Sequence, residues 1–490
     1  MPYLAFIALI AWIPLGAYLF RRFPVRIAIL ANFFVGWALL PGADYVPTTA
    51  DFPYWILGVC LPTNYFLTKA IITALAAAGG VLLFHSSDWK TFRLTLSDLP
   101  MALWCCVPLL SAAAHWRTVG EGFLGVVYQM IAWGVPWLLG RRYFSDDRFM
   151  LLAVKACIVA SVCYIPICLI EFVAGPQFYA FFYGYQPYRW IGAERYVGYR
   201  PIGFLEDGNQ LGIWMAAATL LATSLAFLRL PSRILRLPAW SIAAALAATT
   251  LLCQSVGSIV LLLLLLPLIL LKRRSVLRGF IAIVILGVVV LSLVRIANPV
   301  SLRALAQSNR YVHSLALGLD SIGRHSLVWR IARNESHMRL AMRHLILGWG
   351  RWDWWQSADI RPWGLWLLVF GMYGIIGLAA FGAILFLPIL RTALPSQNSD
   401  NTSESGLHLA LAGLILMVAF DSLLNSALIL PYLLLIGGLA SPRNKAQTTA
   451  SAPLSRITPL PPGRSVLSVP VSTGGSSPAR PPQWSSKARR

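Results

Sequence analysis

The densest chemistry in the chain lies in Arg200-Pro-Ile-Gly-Phe-Leu-Glu-Asp-Gly-Asn-Gln-Leu-Gly212, which runs straight into a long apolar stretch. Arg200, Glu206, Asp207, Asn209 and Gln210 therefore crowd a membrane boundary. Polar groups at membrane depth are expensive and generally line a cavity. The expectation is a binding site there, with Arg200 and Asn209 touching the ligand. Gly203 and Gly208 permit tight turns, and Asp207 or Asn209 can cap the helix that follows. A capped helix start accounts for Asp207 but leaves the other polar groups unexplained.

A second concentration spans 324–347. At about 100° per residue, Leu327, Ile331, Met338, Met342 and Leu345 share one arc. Arg330, Arg333, His337 and His344 share another. This predicts an external amphipathic helix with a dedicated basic face, bounded by Asp320-Ser321 and by Gly348-Trp-Gly350. An interfacial helix whose cations meet lipid headgroups fits the same pattern. Between 295 and 362 there are ten arginines and no lysine. A planar guanidinium grips phosphate in bidentate fashion where an ammonium is a point charge, so Arg324, Arg330, Arg333 and His344 are expected to bind an anionic group.

The elements that must hold these residues are membrane spans. Of 490 residues 58% are hydrophobic and 12% charged, about half the usual charged fraction of roughly 25%, and the mean hydropathy is +0.68. That excludes an ordinary water-soluble domain. At about 20 apolar residues per crossing, spans fall near 3–20, 25–41, 65–84, 99–114, 122–140, 149–174, 202–228, 239–253, 257–271, 277–294, 363–390, 407–424 and 426–441. The expected fold is an all-α, polytopic transmembrane helix bundle of about 12–13 spans over residues 1–441. External loops are expected at 175–201 and 295–362, the second large and carrying amphipathic helices. The first apolar run lacks a basic start and a small-residue cleavage site, so it is expected to be a retained helix.

Charge orients the bundle. With the N-terminus external, the short cytoplasmic loops hold sixteen cations, among them Arg26, Arg141 and Arg391, and the short external ones hold only Arg117. The C-terminus is then cytoplasmic, with 442–490 a disordered basic Pro/Ser-rich tail able to touch anionic lipid. Lys69 and Lys155, near helix ends, are expected to snorkel to the interface. Trp349, Trp352, Trp354, Trp355 and Trp363 are expected to anchor at the interface, with sugar stacking as the alternative. Asp421 and Asn425, with Ser422 and Ser426, fit a polar hairpin turn. The seven cysteines show no CxxC or Cys/His ligand spacing.

Three stretches, in order, resemble the O-antigen ligase and O-antigen polymerase superfamily of bacterial membrane glycosyltransferases. Arg200–Gly212 resembles its Arg-x-x-Gly-x-x-x-x-x-Asn stretch. Leu252-Cys-Gln-Ser-Val-Gly-Ser-Ile259 resembles its Ser-Arg-Gly turn, with Val256 in place of arginine. Gly323–Trp329 through Ile346-Leu-Gly-Trp-Gly350 resembles its external helix ending in Gly-x-Gly. The likeness covers roughly 195–390. The family's His-Asn pair after that helix is missing, since 351–361 contains no histidine.

The resemblance implies transfer of a glycan from a polyprenyl-pyrophosphate carrier to a glycan or lipid acceptor, outside a bacterial inner membrane. Neither metal nor other cofactor is required, the external acids forming no DxD-like pair, and nothing points to nucleic acid. Arg200, Arg330 and Arg333 are expected at the pyrophosphate, and His337, four residues after Arg333, is expected as base. His344, Asp353 and Asp359 are the other acid/base candidates. A transporter or flippase of lipid-linked glycans and a non-catalytic assembly protein are the competing readings. The transporter would show broken helices in repeated halves.

Overall fold

A computed structural model describes residues 2–43, 67–115, 119–184, 194–195, 197–227, 233–270, 337–355, 362–393, 402–425 and 428–441, with isolated helical positions between 276 and 314. Expectations about Arg117, Arg324, Arg330, Arg333, Asp359, most of 277–294 and the 442–490 tail fall outside the described residues.

The described chain is mostly helical. In order come α1 (Pro2–Arg22), α2 (Val25–Leu39), α3 (Lys69–Phe84), α4 (Leu99–Ala114), α5 (Val119–Tyr143), α6 (Asp147–Ala174), α7 (Phe178–Tyr183), α8 (Gly208–Phe227), α9 (Ala239–Leu252), α10 (Val256–Leu270), α11 (Leu365–Ala393), α12 (Thr402–Leu424) and α13 (Tyr432–Leu439). Among the described residues seven helices are long and apolar enough to cross a membrane, and α2, α3, α9 and α10 are shorter apolar helices. The protein is thus a helical membrane protein. Two expected spans are corrected. The 202–228 run begins its helix only at Gly208, because 200–207 is tied down as a loop. The 426–441 run supplies only the short α13.

Local chemistry sets the boundaries. The Thr68 side chain accepts from the Ile71 amide at the start of α3, and Asp146 accepts from the Arg148 amide at the start of α6. Inside α5 the Val135 amide donates to the Met130 carbonyl, five residues back, forming one π turn. Pro136 explains it: without an amide it cannot continue the i→i−4 ladder.

The third correction concerns 363–390, expected to be one continuous span. Gly374 adopts φ 64, ψ −160 within α11. Beyond it the chain reverses. The Trp366 ring lies 4.9 Å from Phe381 and 6.1 Å from Phe386, whereas fifteen or twenty residues of straight helix would separate them by about 22–30 Å. Arms 365–373 and 375–393 therefore lie side by side as a helical hairpin. The Leu365 amide, at its start, donates to the Asn425 carbonyl, and the Trp366 indole donates to Ser422 Oγ at 2.6 Å. Asn425 Nδ2 also donates to Asp421 Oδ1 at 2.6 Å, and Ser426 of the expected polar turn lies outside the described residues.

Helix ends sort into two groups. Arg26 Nε donates to the Tyr143 carbonyl, Arg141 pairs with Asp98 at 2.7 Å, Arg391 donates to Ser97 at 2.5 Å, and His408 meets Asp147 at 2.9 Å. These are the ends that charge counting assigns to the cytoplasm. On the other side Gly42 meets Tyr179, Ser111 meets Leu347, and Gln254 meets Val197. Each of these contacts stays within its own group, as a chain crossing back and forth requires. Arg141 delivers Nε and Nη2 to the Asp98 carboxylate and Nη2 to Thr95 Oγ1.

Candidate functional site

The loop 200–207 lies at the start of α8. Arg200 Nη2 donates to Asn209 Oδ1 at 2.7 Å, bringing together two of the expected ligand residues, and Arg200 is 9% exposed. A Cβ on Gly208 would sit 2.5 Å from Arg200 Nε, so glycine there lets the guanidinium lie along the first turn. Asp207 Oδ1 accepts from the Gln210 amide at 2.7 Å, which settles the cap between the two candidates: Asp207 caps, and Asn209 holds Arg200. The positive end of the helix dipole and a nearly buried guanidinium converge, an arrangement that favours an anion.

Residues not singled out in the sequence fasten this loop. The carboxylate of Glu171, near the end of α6, accepts from the amides of Ile202 (2.7 Å), Gly203 (2.6 Å) and Phe178 (3.2 Å), and Tyr164 Oη accepts from the Phe204 amide at 2.6 Å. Lys69, expected to snorkel, is instead buried. Its Nζ lies 2.5 Å from Glu206 Oε1, with both side chains 2% exposed, and 4.2 Å from the centre of the Trp37 ring. An interior carboxylate is a better partner than the headgroup region, and it lies far away in sequence. The Gln254–Ser258 turn also adjoins. Gln254 Nε2 donates to the Val197 carbonyl at 2.6 Å, and a Cβ on Gly212 would strike Ser255.

The described part of the expected amphipathic helix is helical at 337–341, tightens to a 3₁₀ turn at Met342–His344, and stops at Gly348 with φ 66. Met338, Met342 and Leu345, which share the apolar arc, pack against the core, and Arg339 and Arg343 are exposed. His337 corrects the basic-face expectation: it is 0% exposed, its ring edge-on to Trp354 at 6.2 Å. Trp352, Trp354 and Trp355 are buried too, rather than anchored at an interface; a Cβ on Gly371 would strike the Trp354 ring. Asp353 is engaged by Arg351 in an exposed two-point pair.

Segment 345–350 docks on the tip of the α11 hairpin. The Trp349 and Gly350 amides donate to the carbonyls of Gly371 and Met372, ending the first arm. The Ile375 and Ile376 amides, opening the second arm, donate to the carbonyls of Leu345 and Ile346. A single segment thus satisfies orphan groups of two helix ends.

Beside this dock, His344 pairs with His115 at the end of α4. His115 Nδ1 lies 2.8 Å from the Ser111 carbonyl, which can only accept, so in the neutral ring His115 Nε2 accepts from His344 Nδ1 at 2.9 Å. That leaves the lone pair on His344 Nε2. Both rings are half-buried, and Trp349 covers His344 with ring centres 4.1 Å apart. Burial, then His115, hold the His344 pKa below its ordinary value. A neutral native histidine gives an undocked state that binds more protons at low pH, so docking is fully present above about pH 6.5 and weakens below it. The unfolding midpoint should therefore drop between pH 7.5 and 5.5, and His344→Gln should flatten that drop. An unchanged slope in the variant would remove His344 from the linkage.

Among the described residues no group of three or more His, Cys, Asp or Glu side chains is arranged to hold a metal. The class these features define is a helical membrane protein with a buried polar cluster at the start of α8. No protein-family model matches the chain, and no curated protein matches it significantly.

Proposed function

We propose that the protein is an integral membrane glycosyltransferase of the O-antigen ligase/polymerase type. It takes a glycan from a polyprenyl-pyrophosphate carrier and transfers or polymerises it onto a hydroxyl of a second glycan or a lipid core. The reaction belongs at the external face of a bacterial inner membrane, with the N-terminus external and the C-terminus cytoplasmic. The observation carrying this reading is Arg200, nearly buried and held by Asn209 over the start of α8. The resemblance in motif order, and the arginine-only stretch with Arg324, Arg330 and Arg333, add to it.

In the reaction the acceptor oxygen bonds to the anomeric carbon while the bond from that carbon to the phosphate oxygen breaks. The electron pair leaves with the pyrophosphate, whose growing charge Arg200 and the α8 amides stabilise. The acceptor proton needs a base. His337 is sealed from solvent, whereas His344 is half-buried with its Nδ1 turned to His115, so His344 is the better candidate for that base. The scheme requires no metal.

The test is purified protein in lipid vesicles with a labelled polyprenyl-pyrophosphate oligosaccharide and an acceptor. Arg200→Ala should lower transfer by about 100-fold or more, with insertion and unfolding midpoint retained; Arg200→Lys should recover only part. Parent-level transfer by Arg200→Ala would remove the site. The broken α11 favours a second reading, translocation of the lipid-linked glycan. Label that changes leaflet without forming product would establish it.

A further inference from the structure

The ion pair between Lys69 and Glu206 has no part in the chemistry above, and its burial needs a reason. Removing two charges from water costs more than their attraction commonly returns, and well-packed apolar residues of similar volume often do as well or better. What an ion pair provides and apolar packing does not is a fixed register between two elements.

Each partner is anchored independently. Lys69 opens α3, its amide donates to the Gly42 carbonyl at 3.1 Å, and its Nζ lies 3.4 Å from the Trp37 carbonyl and over the Trp37 ring. Glu206 lies two residues before α8, its amide donating to Gln210 Oε1 at 3.2 Å. The Gln210 amide in turn donates to Asp207, and Asn209 holds Arg200. The side chain of Glu206 is thus the point where the turn carrying Arg200 is fastened to a different span. Glu171 fixes the amides of 202 and 203, and nothing in that contact sets the turn against α3.

We infer that Lys69 and Glu206 are positioning residues for the anion site: their buried ion pair sets the register of the 200–209 turn against α3 and so places the Arg200 guanidinium. The inference rests on the glycosyltransferase reading for its substrate class. It adds that a contact on a separate helix, made to no ligand, controls donor binding.

The experiment uses the full chain in lipid nanodiscs and two readouts, binding of sugar-free polyprenyl pyrophosphate and the split between KM and kcat for the labelled donor. Glu206→Gln alone leaves a buried unpaired ammonium and is expected to fold poorly. The deciding variants are therefore the uncharged double Lys69→Met/Glu206→Gln and the shortened Glu206→Asp, which keeps both charges and withdraws the carboxylate by one methylene. Both should insert and keep the parent's unfolding midpoint within a few degrees. Polyprenyl-pyrophosphate binding should weaken about tenfold or more, with donor KM rising more than kcat falls. Should the double fail to fold, Glu206→Asp decides alone. Parent-like binding and KM in a folded variant overturn the positioning role. If Arg200→Ala still abolishes binding in that case, the functional reading stands without this inference. If Arg200→Ala also binds normally, the site itself is wrong.

Discussion

Gly374→Ala should detach the tip of the α11 hairpin and cost on the order of 4 kcal/mol, from backbone strain and weakened docking bonds together. The reversal uses φ 64, ψ −160, a region that glycine alone occupies readily. A Cβ there would also strike the Ile346 carbonyl and come within 2.6 Å of the Gly348 amide. Neither neighbour is free to retreat, because both belong to the docked segment, where the bonds to 371, 372, 375 and 376 are made. Gly382→Ala is the internal control. Gly382 lies in the second arm, and its new Cβ would meet Trp366 at 3.5 Å, an ordinary contact. Unfolding midpoints in detergent and amide exchange over 345–350 should separate the two, with Gly374→Ala unfolding earlier and exchanging faster while Gly382→Ala follows the parent. Equal behaviour would mean that 365–393 is not a folded-back hairpin.

That hairpin shows where sequence reading runs out. Hydropathy measures the length of an apolar run and is blind to its direction, so two antiparallel arms and one long helix score alike. The signal present was the glycine pair Gly371 and Gly374, and glycine is common in membrane helices. Which helix ends meet follows from the order of the spans: Arg26, Arg141 and Arg391 come together with the other ends of the same group. The cap was legible as well, since Asp207 acts on an amide three residues away. Partners remote in sequence were not. Lys69 looked like a snorkelling cation because nothing near it names Glu206. Glu171 ends an apolar run with nothing beside it in sequence to name its partners, and His115 gains meaning only beside His344. His337 misled because a helical wheel assumes one uninterrupted helix in water, whereas the described turn is covered by Trp354.

Glu171→Ala is expected to be nearly as damaging as Gly374→Ala, and Glu171→Gln to be far from conservative. The carboxylate is 1% exposed and accepts from three backbone amides, two of them on one oxygen. Alanine orphans all three, and each buried amide left without an acceptor costs about 1–3 kcal/mol, partly offset where water follows the lost side chain into the gap. A net loss of roughly 3–5 kcal/mol follows. Glutamine is worse than its shape suggests. Its carboxamide offers one acceptor oxygen, so its NH₂ must face either the amides of 202 and 203 or that of 178, donor against donor. Turning the oxygen toward 202 and 203 sacrifices only the longest bond, at 3.2 Å. Glu171→Gln should therefore retain part of the stability yet loosen α7, while Tyr164→Phe, which removes the acceptor for the Phe204 amide alone, should fall between parent and glutamine. Amide exchange at 202–204 and unfolding midpoints rank the series directly. The same ranking should appear in glycan transfer, because the loop that Glu171 grips is the one that carries Arg200 to the start of α8. A glutamine variant with parent protection at 202 and 203 and parent stability would show that the loop is held by its own fold and not by this carboxylate.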